Sequence, residues 1–418
     1  MDDENIELEI ERIAFRGAGV AHAGPVVCFV PGTCPGERVR ARVVRRRKNF
    51  WEARVEKVLE ASPDRLPAPD CRVFTPDGEV QTPGCVYDHA THEAELRWKG
   101  GQLRDFLVRQ ARIAEPFLEP AVASPRHLNY RNKAVMHVAR DARGRRVLGY
   151  VGDDNATVLD QPRCPLSLDP INDALAEIRA DGAFWRFARP GSRLALRHTT
   201  RDGVSVSVRL PDGRFEPADP PPLTETVPVA GALEVPARGF FQTNPDVGAA
   251  LVGAVAGEIR AAAPARFLDL YCGVGVFGLV AAALGVPRVA GAESGRDAAA
   301  AARRNAGRLG FADRASFACA DAARALPGLL AGGPAAGTLA LVDPPRAGLA
   351  PEAVRALLAA PPARLLYVSC SPDTLARDLA LLCAPGAGAF RLEKARLFDM
   401  FPRTAHFETL CVLSAATA

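Results

Sequence analysis

A thiol, several carboxylates and a glycine turn are spaced along the last part of this chain as a ligand site would need them. Phe267-Leu268-Asp269-Leu270 is an apolar run that ends in the turn Gly273-Val274-Gly275, and a helix of small residues follows. Glycines let the backbone turn sharply and let a ligand lie close to it. The helix N-terminus behind them offers free N–H groups and the positive end of a dipole. Glu293 comes about twenty residues later, at the end of a second apolar run, where a carboxylate commonly holds a ribose diol. Gly273, Gly275 and Gly278 fit G-x-G-x-x-G, which makes NAD one candidate. Asp269 and Cys272, however, crowd the turn with a carboxylate and a thiol. Downstream stand Asp343-Pro344-Pro345-Arg346 and Ser369-Cys370, for which a dehydrogenase has no use. These features favour S-adenosylmethionine. A free cysteine is ordinarily a buried packing residue. Cys370 has polar flanks, Ser369 and Ser371, at the end of an apolar strand, which favours a reactive thiol. Glu408 taken alone reads as a strand-edge salt bridge.

The elements that must position these groups follow from the same stretch. Apolar runs at 267–270, 288–292, 315–319, 339–342, 364–369 and 408–413 alternate with helical segments. That alternation predicts an α/β fold with a parallel, doubly wound sheet. Ligands bind such sheets at the carboxyl ends of the strands. Asp269, Glu293, Asp321, Asp343 and Cys370 all fall at or just beyond strand ends.

The rest of the chain reads as two smaller units. Residues 1–62 predict five short strands with glycine turns, a small OB-like barrel. Its basic residues concentrate between Arg38 and Lys57, with Phe50 and Trp51 among them, a pattern that suits single-stranded nucleic acid. Residues 63–230 predict a central α+β domain with a Pro-rich loop bearing Cys71 and Cys85, an amphipathic helix from 91 to about 115, and an antiparallel sheet that helps hold substrate. Arg131 and Lys133 in that sheet are candidate RNA contacts or plain surface charge. Residues 231–418 form the catalytic unit. With 418 residues and a formal net charge of +4, the chain has room for several cores, and any nucleic-acid affinity must come from local clustering. Ten scattered cysteines point to a reducing cytoplasm rather than a disulfide framework. The acidic start predicts no signal peptide, and no apolar run is clean enough to span a bilayer.

FFQTN, DLYCGVG, GAESGRDA, LVDPPRAGL, YVSCSPDTLARDL and FDMFPRTAHFETL occur in an order that resembles the S-adenosylmethionine-dependent RNA uracil-5-methyltransferases. The resemblance covers nearly the whole chain, and the N-terminal barrel is similar to that family's TRAM domain. It implies a Rossmann-like methyltransferase domain and a monomer acting on RNA, ribosomal RNA ahead of tRNA. It makes Cys370 the nucleophile and Glu408 the proton acceptor. It places Gln242, Tyr271, Glu293 and Asp343 around S-adenosylmethionine, with Asp321 as an adenine partner or a helix cap. Val276 stands where many members carry Asn after the glycine turn. Cys71, Cys85 and Cys164 match three of the four cysteines of the iron–sulfur subset, but Thr82 occupies the remaining position. A four-iron cluster normally takes four thiolates. The resemblance therefore implies a lost cluster, or His89 as a substitute ligand, and loss is preferred. Other readings are an amino-group methyltransferase, against which Arg346 counts, and an RNA-binding factor without catalysis.

Overall fold

The computed structural model describes residues 5–69, 71–75, 78–81, 84–152, 154–333 and 335–416. At the N-terminus, Asn5–Glu9, Arg12–Ile13, Ala18–Ala23, Val26–Pro31, Arg38–Arg46 and Phe50–Glu60 form one six-stranded curled sheet. Five strands were predicted here; the addition is the two-residue strand Arg12–Ile13. Val39 and Ala41 face its core while Arg38 and Arg40 face outward, the ordinary alternation of a half-buried strand. The outward arginines meet acids on neighbouring strands: Arg38 meets Glu7 and Glu60, Arg40 meets Glu7, Arg42 meets Glu56, and Arg45 meets Glu52. The basic stripe seen in sequence is thus in large part a ladder of cross-strand ion pairs. Further along, Arg46 lies over the Trp51 ring, 4.5 Å from its centre.

Thr91 caps the linking helix His92–Arg109, its hydroxyl accepting from the Ala94 N–H. The helix stops earlier than its sequence pattern implied. It buries Leu103 and Leu107, but also Glu95, Lys99 and Gln102. The central unit is a six-stranded antiparallel sheet built on Lys133–Arg140 and Arg193–Thr199, as its sequence pattern implied. The helix Asp169–Ala180 packs against it.

The last unit is a seven-stranded sheet. In spatial order its strands are Ala315–Cys319, Arg288–Glu293, Arg266–Leu270, Thr338–Val342, Arg364–Ser369, Glu408–Ala415 and Phe390–Phe398. The first five run parallel. Arg266–Leu270 and Thr338–Val342 are buried throughout, because helices cover both faces. Two features depart from the all-parallel expectation. Phe390–Phe398, a charged edge strand, had not been foreseen, and Glu408–Ala415 runs antiparallel to both neighbours. Only residues 399–407 join these two strands, too few for a crossover, so they pair as a hairpin. Among the described residues, no helix is long and apolar enough to cross a membrane.

Candidate active site

The glycine-turn side of the site, the candidate for the cofactor, begins at the strand Arg266–Leu270. Its exit is a sequence of strained or glycine positions: Tyr271 at φ 61, Gly273 at φ 54 and Gly275 at φ 87. Left-handed backbone is easy for glycine and unusual for tyrosine, and it concentrates where a site demands it. Gly275 opens the helix Val276–Ala283. Asp269 is fully buried and accepts the Gly278 N–H at 2.7 Å, tying that helix to the strand. Its other oxygen has no hydrogen-bond partner among the described residues, and burial pushes the carboxyl up to about 7. Glu293 accepts the Gly273 N–H at 3.1 Å and the Gly295 N–H at 2.6 Å, so its carboxylate is held against the turn.

Across the turn lies a cleft bordered by Phe241, Gln242, Tyr271, Gly273, Phe277 and Asp343. Gln242 is placed by Asn132, whose amide donates to its carbonyl at 3.1 Å. The Arg197 guanidinium sits 5.6 Å from the Phe241 ring centre and pairs with Glu225 at 2.7 Å. The central sheet therefore positions one wall of the cleft. A bare glycine turn, the adjoining Glu293 carboxylate and Asp343 on the border of the cleft suit a ligand with a ribose diol and positive charge. These residues fit S-adenosylmethionine.

The second side is made by strand pairing. Ser369 pairs with Thr409, so Cys370 and Glu408, the next residues in opposite directions, are brought together. Cys370 is half-buried and Glu408 is 5% exposed. Oε2 of Glu408 is buried with no hydrogen-bond partner among the described residues. Burial, and next the charge of Asp343, push Glu408 well above the carboxylate range, while Arg346 acts the other way. Burial, followed by Glu408, pushes the Cys370 thiol up to about 11, again opposed by Arg346. His406 is drawn down to about 4, first by burial and then by Arg346, and is neutral at ordinary pH. Burial also raises Asp343 to about 7. Asp343 borders the cofactor cleft and acts electrostatically on both Cys370 and Glu408, so it joins the two sides.

Of the residues singled out in sequence, Gln242, Tyr271 and Asp343 share the cleft, Glu293 braces its turn, and Cys370 and Glu408 stand together. Asp321 is exposed and caps the helix Ala322–Ala331 through the Arg324 N–H at 3.0 Å. Its charge still reaches Tyr271, whose hydroxyl is raised to about 12 chiefly by burial. Arg131 and Lys133 are not plain surface charge: Arg131 donates to the Tyr130 hydroxyl, and Lys133 to the Gly239 carbonyl. Sequence reading missed Asn132, which lies between them and carries no signal of its own, because its target is a backbone carbonyl 110 residues away.

Cys71, Cys85 and Cys164 are buried in one apolar cluster with Tyr130 and Met136. The Cys85 thiol is held protonated, chiefly by Cys71 beside it. The three thiols do converge, but His89 does not complete them. Its Nε2 lies 3.1 Å from the Thr33 carbonyl, toward the N-terminal sheet. Thr82 lies outside the described residues. Three thiols do not fit a four-thiolate cluster, and nothing in the chemistry below runs through one.

A glycine turn after the first of seven strands, in a sheet whose seventh strand is reversed and inserted beside the fifth, defines a Rossmann-like S-adenosylmethionine-dependent methyltransferase. The family model for tRNA (uracil-5-)-methyltransferase matches residues 336–416, the part that holds Asp343, Cys370 and Glu408. The 23S rRNA (uracil(1939)-C(5))-methyltransferase RlmD of Pseudomonas putida is 32% identical over 98% of this chain and 93% of its own. An uncharacterized RNA methyltransferase of Halalkalibacterium halodurans is 30% identical over 98% and 96%. The crystal structure of the Pyrococcus abyssi tRNA (uracil-54, C5)-methyltransferase, in complex with S-adenosyl-L-homocysteine, superposes with a TM-score of 0.74. It is 24% identical and covers 98% of this chain and all of that one, which establishes a shared fold. This chain belongs to the S-adenosylmethionine-dependent RNA uracil-5-methyltransferase family.

Proposed function

We propose that this enzyme methylates carbon 5 of a uridine in RNA, with Cys370 as nucleophile and Glu408 as proton acceptor. The observation that carries the reading is the Ser369–Thr409 register, which sets a half-buried thiol beside a buried carboxylate with an unpartnered oxygen. Carbon 5 of uracil is a poor nucleophile. When the Cys370 sulfur bonds to carbon 6, the ring electrons shift to form an enolate, and carbon 5 can attack. S-adenosylmethionine supplies an electrophilic methyl group. Gln242, Tyr271, Glu293 and Asp343 would hold it, with Asp321 near the adenine end. Glu408 then takes the proton from carbon 5, the C–H electron pair re-forms the ring double bond, and the carbon–sulfur bond breaks with its pair leaving on sulfur as the Cys370 thiolate. The charge order is favourable. Glu408 disfavours ionisation of the Cys370 thiol, but a sulfur bonded to carbon carries no charge, so that repulsion is absent from the adduct.

The target base must leave its stack to reach Cys370. Ribosomal RNA is the preferred substrate, as for the Pseudomonas putida relative. We read the protein as a cytoplasmic monomer in three units, 1–62, 63–230 and 231–418. In the first, the N-terminal sheet grips RNA near the target, chiefly through the hairpin end at Arg46, Arg47 and Lys48. The test uses unmodified RNA transcripts and methyl-labelled S-adenosylmethionine, with wild type beside Cys370→Ala. Label in 5-methyluridine that vanishes in the variant is the expected result. Label in another nucleoside, or undiminished label in the variant, would overturn the assignment.

A further inference from the structure

The turn at 399–407 separates two paired strands and ends at Glu408. Phe398 is the register partner of Glu408, so Asp399 opens the turn at the point where Glu408 closes it. This turn is held from outside its own unit, by the linking helix His92–Arg109. Lys99 on that helix is fully buried, and its ammonium donates to Glu95 at 2.6 Å, to Asp399 at 2.8 Å and to the Phe401 carbonyl at 3.1 Å. The second Asp399 oxygen meets His92 Nε2 at 2.7 Å. Glu95 also accepts the Arg403 N–H at 2.8 Å. Arg403 is 1% exposed at φ 67, and its guanidinium donates to the Ala90 carbonyl at 2.7 Å. The Tyr130 hydroxyl donates to the Pro402 carbonyl at 2.9 Å. The Phe401 carbonyl that Lys99 holds also accepts from the Thr404 hydroxyl, which in turn accepts the His406 N–H at 3.2 Å.

This is a costly way to close a hairpin. Burying an ion cluster seldom stabilises a fold more than apolar packing of the same volume. A left-handed arginine adds strain, which persists only where the surroundings impose it. Polar groups from 300 residues away converge on a turn that leads, past His406, to Glu408 at its exit. We propose that Lys99, with Glu95 and Asp399, is a positioning group that fixes this turn and thereby aims Glu408 at the carbon 5 proton. The inference rests on the reading of Cys370 and Glu408 given above. It predicts a selective defect. Addition of sulfur and methyl transfer use Cys370 and the cofactor cleft, which other strands supply. Only proton removal needs Glu408 in place, so a loosened turn stalls the reaction after methyl transfer, with RNA still bonded to Cys370.

The experiment uses the full-length protein, unmodified RNA transcript and methyl-labelled S-adenosylmethionine. It measures two products: free 5-methyluridine RNA, and labelled protein–RNA adduct that survives denaturation. Lys99→Met leaves Asp399 with His92 alone and Glu95 with Arg403 alone, so it is accompanied by the charge-balanced pair Lys99→Met/Asp399→Asn, which keeps the Glu95–Arg403 contact. Asp399→Asn alone, which leaves the Lys99–Glu95 pair intact, covers failure of the others to fold. Thermal unfolding checks each variant. Release of methylated RNA is expected to fall by about 10²-fold, the scale of a misplacement of about 1 Å. Labelled adduct should accumulate, and the KM for S-adenosylmethionine should not change. Wild-type release from a folded variant, or equal loss of adduct and release, would overturn the positioning role. Glu408→Gln is the reference. If it accumulates labelled adduct and the cluster variants do not, the positioning role alone fails. If it accumulates none, the reading of Glu408 fails and takes this proposal with it.

Discussion

The cofactor cleft and the Cys370 site meet at Asp343, yet they are assembled by different means. The glycine-turn wall of the cleft is local, although the central sheet places the other wall, at Phe241 and Gln242. Asp269, the glycine turn and Gly278 lie within one strand–turn–helix, and the Asp269–Gly278 hydrogen bond spans nine residues. The Cys370 site has little local structure of its own. It exists because two strands pair in one register, and because a helix early in the chain grips the turn between two late strands. A local site tolerates changes elsewhere and fails when its own backbone is disturbed. A site made by register depends on groups that never touch the reacting atoms.

Three measurements would break or sharpen that contrast. The largest effect is expected for Glu408→Gln, which keeps shape and removes the carboxylate proposed as the base. Turnover should fall by about 10²–10⁴-fold, as for loss of a general base, while S-adenosylmethionine affinity measured by calorimetry stays unchanged. A parallel loss of affinity would mean that the two sites are not separable.

The second concerns Asp269. Burial raises its carboxyl from 3.8 to about 7, so between those values the folded protein binds more protons at this group than the unfolded chain does. Its contribution favours folding at low pH and is lost as pH rises through about 7, with an upper bound near ~4 kcal/mol for a shift of this size. The melting temperature of the free protein should therefore fall across that window, and less steeply in Asp269→Asn. An unchanged slope would remove Asp269 as its source.

The smallest effect is expected at Gly278. A Cβ there would lie 2.9 Å from the Phe317 ring and 3.0 Å from Asp269 Oδ2. Gly278→Ala should cost about 1–3 kcal/mol of stability, read by denaturant unfolding, and weaken cofactor binding with it. Adduct formation at saturating cofactor should be spared if the second site is independent.

Parts of this protein were legible as sequence because the physics involved is short-range. Strand–turn–helix around 267–285, the run of strand ends bearing Asp269, Glu293, Asp343 and Cys370, and the alternation of the N-terminal and central strands all follow from neighbouring residues. Family resemblance supplied Glu408, which its own neighbours had assigned to a salt bridge. The tertiary structure decided the rest. It reversed the strand Glu408–Ala415 and thereby put a carboxylate beside the thiol. It turned Arg38, Arg40, Arg42 and Arg45 from an open basic stripe into paired charges, because their partners lie on other strands. It buried Lys99 against Asp399. Charge and hydrogen bonding act over a few ångströms, and the partners that set the state of Lys99 and Glu408 reach that distance only once distant segments have folded together.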